Sequence, residues 1–396
     1  MNQTATATVP THSEIVASAR AIVERLRANA RESDRLGRLS DDSFRALQEA
    51  GLLQIMVPRR CGGWEGDIAT VVEATSTVAE GCPGAAWHVM IANGNAWQLG
   101  HLDERVQDEL FGDGPGTLVS GAIMPSGSAR KVPGGWRVTG RFNFVSGIQH
   151  ASWLTFLTFA ENEGGSRGET LMMYCPASEV TQLGNWDTLG MRGSGSPDVE
   201  LNDVFVPESR VLPPSDRSVV SEAAMRQATN LYRMPTVAGF PLLIAGTVLG
   251  PAKRALELYV ERLRERTERY TERAKSESQA QLIRVANASA AIMSAEMLLA
   301  DAAARFDAAV RSGGKPTLED RAAIKWQAVY AIDVLRKAVT ALYDAAGGSA
   351  IYAEGEFLST FRNVHVGSHH AACDFDPAAE MFGRLLIGLD VDVRAV

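Results

Sequence analysis

Three of the seven histidines lie close together near the carboxyl end of the chain: His365, His369 and His370. Imidazole has an ordinary pKa near neutrality, so it can accept or donate a proton at physiological pH. The i, i+4 spacing of His365 and His369 would put both on one helix face as metal ligands, with Asp374 completing the site. However, no H-E-x-x-H motif is present and Gly367-Ser368 weakens a helix, so no metal is predicted. A catalytic histidine and a histidine satisfied in a subunit contact both remain open.

Two glycine-rich segments resemble motifs of other enzyme classes. Gly164-Gly165-Ser166-Arg167-Gly168 matches G-x-S-x-G, but that motif exposes its serine only on a strand-to-helix turn above a parallel sheet. Here the sequence predicts a polar hairpin tip. Gly193-Ser194-Gly195-Ser196 lacks the spacing of a dinucleotide fingerprint and of a Walker loop. Neither a serine hydrolase nor a nucleotide-binding α/β fold is therefore indicated.

Composition limits the class of protein and its partners. With 396 residues, 45% hydrophobic and 22% charged, the chain should form two or three globular domains. A net charge of -8 without a long basic run argues against nucleic acid as a partner. The four cysteines form no C-x-x-C, which suits a reducing cytoplasm. We find no signal peptide and no long apolar run, so no membrane association is predicted.

The pattern of apolar residues divides the chain into three zones. Residues 1–115 carry helical spacing, as in Ile15, Ala19 and Ile22. Residues 116–215 contain short β-branched and aromatic runs between Gly, Pro and Asn, which predict an all-β domain. Residues 216–396 return to helices, roughly 241–273, 279–311 and 318–345, which should pack as a four-helix bundle. The fold class is α+β multidomain, in the order helical, β, helical.

Several motifs along nearly the whole chain resemble the acyl-CoA dehydrogenase superfamily. They are Phe144-Val145-Ser146-Gly147, the run from Trp186 to Ser196, Asp203-Val204-Phe205-Val206-Pro207, and Gly347-Gly348 leading to Phe361-Arg362-Asn363. The resemblance implies a helical N-terminal domain, a central β-barrel or β-sandwich and a C-terminal four-helix bundle. It also implies a flavin bound between the β domain and the bundle.

One position separates this chain from the dehydrogenases it resembles. Those enzymes carry a catalytic glutamate nine positions after the arginine that corresponds to Arg362, and this chain has Ala371 there. Alanine cannot abstract a proton. The neighbouring His369-His370 resembles instead the oxygenase components of two-component flavin-dependent monooxygenases, including phenol and aromatic polyketide hydroxylases. In those proteins a histidine at the position of His370 serves as base.

This resemblance implies a reaction and its partners. A separate NAD(P)H:flavin reductase would supply reduced FMN or FAD (FMNH2 or FADH2), which reacts with O2 to a C4a-hydroperoxyflavin that oxygenates a small aromatic or polyketide-type substrate. A homotetramer is also implied. His370 would act as base with His369 as its rival, and Ser146 would hydrogen-bond flavin N5. The remaining flavin contacts would come from Phe144, Trp186, Arg192, Ser194, Arg266, Gly347 and Gly348.

The helix segment around Asn95 departs from several aromatic hydroxylases of this branch, which carry a histidine there. An amide can bind a hydroxyl but cannot take its proton, which leaves N-oxygenation of an amine or amino sugar as an alternative. Trp87 and His88 either reach the pocket or only pack. Two further alternatives are an acyl-CoA dehydrogenase-like flavoprotein with Glu354 or Glu356 as base, and a non-catalytic flavin-binding assembly partner.

Overall fold

The computed structural model describes residues 9–100, 102–162, 164–212, 224–225, 230–267, 274–313 and 316–392. Within these ranges the chain runs through helices, then one sheet, then helices again, which confirms the predicted fold class. The first predicted boundary, between residues 115 and 116, falls between the last N-terminal helix and the first strand. The second, between 215 and 216, lies outside the described residues.

The N-terminal helices begin where polar caps precede apolar stripes. Thr11 forms a reciprocal capping box with Glu14 at the start of the first helix, and the Ser40 hydroxyl accepts the Ser43 N–H at the start of the second. The first helix buries Ile15, Ala19 and residues spaced three or four positions further on. The helices are α1 His12–Leu36, α2 Asp41–Glu49, α3 Ile68–Ala79, α4 Pro83–Leu99 and α5 Glu104–Leu110.

A single eight-stranded sheet forms the middle of the molecule. Its strands are β1 Val119–Ala122, β2 Ser128–Val132, β3 Gly135–Phe142, β4 Trp153–Glu161, β5 Arg167–Pro176, β6 Thr181–Gln182, β7 Val199–Pro207 and β8 Val211–Leu212. Their order in the sheet is β6-β7-β3-β2-β4-β5-β8, and β1 pairs with β4 off this path. Phe142 and Phe156 pack at 4.9 Å between ring centroids in its core. The G-x-S-x-G segment begins in the predicted hairpin connection between antiparallel β4 and β5, and its last two residues, Arg167 and Gly168, begin β5.

The C-terminal helices form the predicted bundle, with one helix displaced from its prediction. The prediction of 241–273 is wrong at both ends. The helix already begins after the extended residue Pro235 and continues through Pro241, and it gives way to extended backbone at Arg266. The helices are α6 Thr236–Glu265, α7 Gln279–Ser312, α8 Leu318–Ala345, α9 Glu356–Gly367 and α10 Phe375–Leu386. By length and composition α6 and α7 could each cross a membrane. The most apolar part of α6 is 89% buried inside the fold, as in the core helix of a globular protein, whereas that of α7 is 22% buried.

A buried carboxylate joins the bundle to the N-terminal helices. Asp307 on α7 accepts the Ile68 N–H at 3.0 Å and the Ala69 N–H at 3.2 Å, so it caps the start of α3 from another domain. Burial, and then the nearby charge of Asp67, raise the pKa of Asp307 to about 6. The folded chain is therefore more stable when the Asp307 carboxyl is protonated than when it is ionised.

We expect Asp307→Asn to change how stability depends on pH. Because the folded pKa of Asp307 lies above its unfolded value, its contribution is complete below about pH 4 and is lost as the pH rises through about 6. Over that interval the free energy of unfolding of the wild-type protein should fall by roughly 1–3 kcal/mol relative to Asp307→Asn. Urea unfolding at the two pH limits measures this difference. Parallel curves for the two proteins would contradict the assignment.

Candidate active site

Two loops of the central domain, one after β3 and one before β7, pair through backbone hydrogen bonds next to α4. The loop after β3 turns because Phe144 (φ 58°) and Gly147 (φ 73°) adopt left-handed backbone, which is costly for phenylalanine. The Gly147 N–H donates to the carbonyls of Ser194 (3.1 Å) and Gly195 (2.8 Å). This pairing fixes Ser146 at the point where the two loops face the helices.

A chain of buried hydroxyls ends at an indole. The Ser146 Oγ accepts a hydrogen bond from Trp87 Nε1 at 3.0 Å and lies 2.7 Å from the Ser196 Oγ. Ser196 continues to the Ser194 Oγ at 2.8 Å. All three serines are buried. Because the indole N–H can only donate, it occupies one lone pair of Ser146 and leaves the hydroxyl proton for Ser196 or for a ligand.

His370 packs against the same indole. Its ring centroid is 5.9 Å from that of Trp87 and 6.0 Å from that of Phe240 on α6. His370 caps the short 3-10 turn Ala371–Cys373, and its Nδ1 accepts the Ala372 N–H at 3.1 Å. Burial lowers the pKa of His370 to about 4, so the imidazole is neutral at physiological pH. Trp87 therefore contacts both Ser146 and His370.

The other two histidines of the cluster point elsewhere. His369 is exposed, and its Nδ1 donates to the His365 carbonyl at 2.5 Å. The His365 Nε2 lies 2.9 Å from the Thr340 Oγ1, and its ring packs on Phe361 at 4.3 Å between centroids. Among the described residues no group of three or more His, Cys, Asp or Glu side chains could hold a metal ion. His370 is thus the histidine of this cluster that faces Trp87.

Two aromatic rings stand at the mouth of the paired loops. The ring of Phe144 meets that of Trp186 edge-on at 6.4 Å, and Phe144 is 69% exposed. Trp186 is held by a hydrogen bond from its Nε1 to the Met191 carbonyl at 3.2 Å. A large apolar surface left open beside a buried serine suits a planar ring system. The role of Phe144 and Trp186 as flavin walls stays a prediction.

The loop from Trp186 to Ser196 is tied to α9 at the Arg362-Asn363 motif. The Met191 N–H donates to the Asn363 Oδ1 at 2.7 Å. A Cβ at Gly190 would lie 2.4 Å from the Arg362 carbonyl oxygen, so only glycine fits there. Arg192 is engaged by the Asp34 carbonyl (2.9 Å) and by Asp187. Those partners anchor the Arg192 side chain, and its flavin contact stays a prediction.

A cationic cluster forms at the glycine-rich turn after α8. The side chains of Arg262 and Arg266 both donate to the Ser349 Oγ, the former at 2.9 Å. A Cβ at Gly347 would lie 3.6 Å from the Lys275 Nζ, and one at Gly348 would meet nothing within 4 Å. Burial, and then the charge of Arg266, lower the pKa of Arg262. Three cations around an open turn suit a bound anion such as a phosphate.

Asn95 lies two helical turns beyond Trp87 on α4. Its Nδ2 donates to the Val119 carbonyl at 2.6 Å, and a Cβ at Gly121 would lie 3.3 Å from its Oδ1. The amide thus joins α4 to β1, and within the described residues it forms no hydrogen bond with Ser146 or His370. His88 packs: its Nδ1 donates to the Gly84 carbonyl at 2.9 Å, and burial lowers its pKa to about 3.

The two carboxylates considered as alternative bases are ion-paired in a different cavity. Glu354 pairs with Arg31 at 2.8 Å, and Glu356 pairs with Arg254 at 2.8 Å. Both line a cavity of about 210 Å³ at the start of α4. Both carboxylates are bound to arginines and neither is hydrogen-bonded to Ser146 or His370 in the described part of the chain, so the dehydrogenase alternative gains no support here.

Comparison with known proteins identifies the family. Residues 9–103 match the acyl-CoA dehydrogenase N-terminal domain, and residues 242–375 match the acyl-CoA dehydrogenase C-terminal domain. A pigment production hydroxylase of Rhodococcus sp. is 30% identical over 382 residues, covering 96% of this chain and 98% of that protein. The chain belongs to the acyl-CoA dehydrogenase family. This chain has Ala371 at the position of the dehydrogenase glutamate, with His370 directly before it.

Two further relatives bind or use reduced flavin by their names. An FADH2-dependent resorcinol hydroxylase oxygenase component of Rhizobium sp. is 26% identical over 389 residues, covering 96% of this chain and 95% of that protein. XiaF from Streptomyces sp., solved in complex with FADH2 and glycerol, is 26% identical and has a TM-score of 0.90, covering 96% of each chain. These matches confirm the predicted fold and the resemblance to the oxygenase branch.

Proposed function

We propose that this protein is the oxygenase component of a two-component flavin-dependent monooxygenase that hydroxylates a small aromatic substrate. The observation that carries the proposal is that Ser146 and His370 both contact the Trp87 indole, with alanine at the position of the dehydrogenase glutamate. Its relatives include a resorcinol hydroxylase oxygenase component and a p-hydroxyphenylacetate 3-hydroxylase oxygenase component. Both act on aromatic rings by their names.

The residues present fit reduced FMN or FAD. Phe144 and Trp186 offer an open aromatic surface, Ser146 offers a buried hydroxyl, and Arg262, Arg266 and Lys275 offer positive charge for a phosphate. The bound flavin would supply the activation of O2, and a separate reductase would supply its electrons. Such a reductase is implied because the relatives are named oxygenase components.

The chain's own residues then have three tasks. Trp87 and Phe240 pack on the imidazole of His370 and position it, and burial of the ring keeps it neutral at physiological pH. Trp87 also occupies a lone pair of Ser146, which directs the hydroxyl proton toward its remaining partners. His370 binds the reacting group of the substrate. None of these three tasks needs a carboxylate base, and Ala371 occupies the position of that base in the dehydrogenases.

Purified protein tests the proposal without a known natural substrate. We expect reduced FMN or FAD, prepared anaerobically and mixed with O2 and a panel of simple phenols, to yield hydroxylated product detected by mass spectrometry. NAD(P)H should be consumed only after an unrelated flavin reductase is added. Conversion of an acyl-CoA to an enoyl-CoA with a dye as acceptor, and no hydroxylated phenol, would overturn the proposal.

Arg266→Ala should weaken flavin binding through the phosphate alone. Loss of a charge-assisted contact costs about 1.5–3 kcal/mol, which corresponds to a roughly 10- to 150-fold higher Kd for reduced FMN. Riboflavin has no phosphate, so its Kd should not change. Anaerobic fluorescence titration measures both, and Arg264→Ala, an exposed arginine two residues earlier, is the matched control. An equal loss for riboflavin and FMN would contradict the phosphate assignment.

We infer that the protein is a homotetramer and that α7 contributes to its interface. This helix leaves an apolar face open to solvent: Leu282 and Ile283 lie near its start, Met293 and Met297 near its middle, and Met297 is 67% exposed. Soluble monomers rarely leave such a stripe uncovered. A second copy of the chain is the occupant that the family resemblance favours.

Met297→Asp should therefore reduce the oligomer to smaller species in multi-angle light scattering. A charge buried in an apolar interface is costly, whereas the same change at the equally exposed Met124 of the central domain should leave the mass unchanged. Binding of the wild-type protein to lipid vesicles, abolished by Met297→Asp with no change in mass, would instead assign the stripe to a membrane surface.

A further inference from the structure

The Ala372 N–H decides which nitrogen of His370 carries the proton. A neutral imidazole has one N–H and one lone pair. Nδ1 accepts the Ala372 N–H at 3.1 Å, so the lone pair is at Nδ1 and the proton is at Nε2. The opposite tautomer would place an N–H at Nδ1 directly against the N–H of Ala372, with two donors facing each other.

The backbone that makes this contact is itself fixed. His370 stands at the start of the turn Ala371–Cys373, and the Cys373 N–H donates to the His370 carbonyl at 2.8 Å. Cys373 is buried, which holds the turn in place. The contact is therefore a cap built into the fold, comparable to a side chain that caps a helix.

The other nitrogen is turned away from this cap. Nε2 has no hydrogen-bond partner in the described part of the chain. The two aromatic neighbours of the His370 ring are Trp87 and Phe240. A ring N–H that has no protein partner is available to donate to a ligand.

We propose that His370 serves its substrate as a neutral hydrogen-bond donor through Nε2–H, and not as the base that removes the substrate's proton. The inference rests on the proposed function. It specifies the substrate class: the group bound at His370 accepts a hydrogen bond, as a phenolate or an enolate oxygen does. The proton of a phenol substrate would be lost to solvent before or during binding.

A hydrogen-bond donor at His370 also distinguishes hydroxylation of a phenol or enol from N-oxygenation of an amine, the two reactions that the sequence left open. An oxygen anion has several lone pairs, so it can accept from His370 while its ring carbon is oxygenated. An amine has one lone pair, which must itself attack oxygen in an N-oxygenation. A donor aimed at that lone pair would block the reaction, so the site favours hydroxylation of an ionised phenol or enol.

Two conservative variants distinguish a donor from a base. In His370→Gln the side-chain amide can place an N–H where Nε2–H lies, but its nitrogen cannot accept a proton. In His370→Asn the amide oxygen can replace Nδ1 toward Ala372, and nothing reaches the place of Nε2. We expect His370→Gln to keep hydroxylation within about tenfold of wild type and His370→Asn to lose about a hundredfold or more. Equal losses in both variants, with flavin binding retained, would overturn the proposal.

A spectroscopic readout tests the tautomer without turnover. Magic-angle-spinning NMR of histidine-15N-labelled full-length protein distinguishes a protonated from a bare ring nitrogen, and the signals missing in His370→Gln identify His370 among the seven histidines. We expect a bare Nδ1 and a protonated Nε2 at neutral pH, and the reverse pattern would refute the proposal. Absence of any hydroxylation by the wild-type protein would instead count against the proposed function, because the tautomer is measured independently.

Discussion

His370→Ala should lower the rate of product formation by about two to three orders of magnitude while reduced flavin still binds. A positioned group that handles a proton or a hydrogen bond at the reacting atom contributes about 10²- to 10⁴-fold. The alanine variant removes the only imidazole of the cluster that contacts Trp87. It leaves the cationic cluster at Arg262 and Arg266 untouched. Single-turnover product yield and anaerobic flavin titration measure the two effects separately.

His369→Ala is the matched control for this variant. His369 is the adjacent residue, but it is exposed and bonded to the His365 carbonyl. We expect the control to retain activity close to wild type. A large loss of activity in His369→Ala together with a small loss in His370→Ala would assign the catalytic role to His369, the alternative that the sequence left open.

Ser146→Ala should separate oxygen consumption from product formation. The variant removes a buried hydroxyl that Trp87 and Ser196 hold at 3.0 Å and 2.7 Å, and it leaves the Trp87 N–H without an acceptor. Removing one preorganised donor typically costs about 10²- to 10³-fold in rate. We expect O2 to be consumed still, with most of it released as H2O2 and at least a tenfold fall in the ratio of product to O2. Oxygen-electrode and peroxide assays on the same samples measure this ratio.

Two controls accompany the serine variant. Ser18→Ala removes an exposed hydroxyl on α1 and should change nothing. Trp87→Phe keeps an aromatic ring beside His370 but removes the N–H that orients Ser146, so it should show part of the same uncoupling. Unchanged coupling in Ser146→Ala would mean that the hydroxyl chain supports only the loop and has no part in handling the cofactor.

Much of the fold could be predicted because local signals agree with tertiary packing. The Ser40 cap, the helical stripe of Ile15 and Ala19, and the switch to strand-like runs after residue 116 each survive in the structure. The end of α6 could not be predicted, because charged residues such as Arg264 and Glu265 suit a helix equally well on either side of Arg266. At Arg266 the backbone is extended, and its carbonyl accepts the N–H of Lys275, a residue far outside the helix.

The site could be predicted in its residues but not in its connections. The motifs identified Ser146, Ser194 and His370, and the structure brings the first two together through Ser196 and connects Ser146 to His370 through Trp87. Nothing in the spacing of Trp87 shows which polar atom its indole N–H will reach, because that depends on how α4 crosses the loops. The positive φ of Phe144 is likewise invisible in sequence, since phenylalanine rarely adopts it.

The most direct measurement of the central claim is a single turnover under ¹⁸O2. Reduced flavin bound to the wild-type protein is mixed with labelled oxygen and a phenol, and the product is analysed by mass spectrometry. Our account predicts one ¹⁸O atom in the hydroxylated product, with that product reduced at least about a hundredfold in His370→Ala. Unlabelled product, or oxidation of an acyl-CoA without oxygen incorporation, would contradict it.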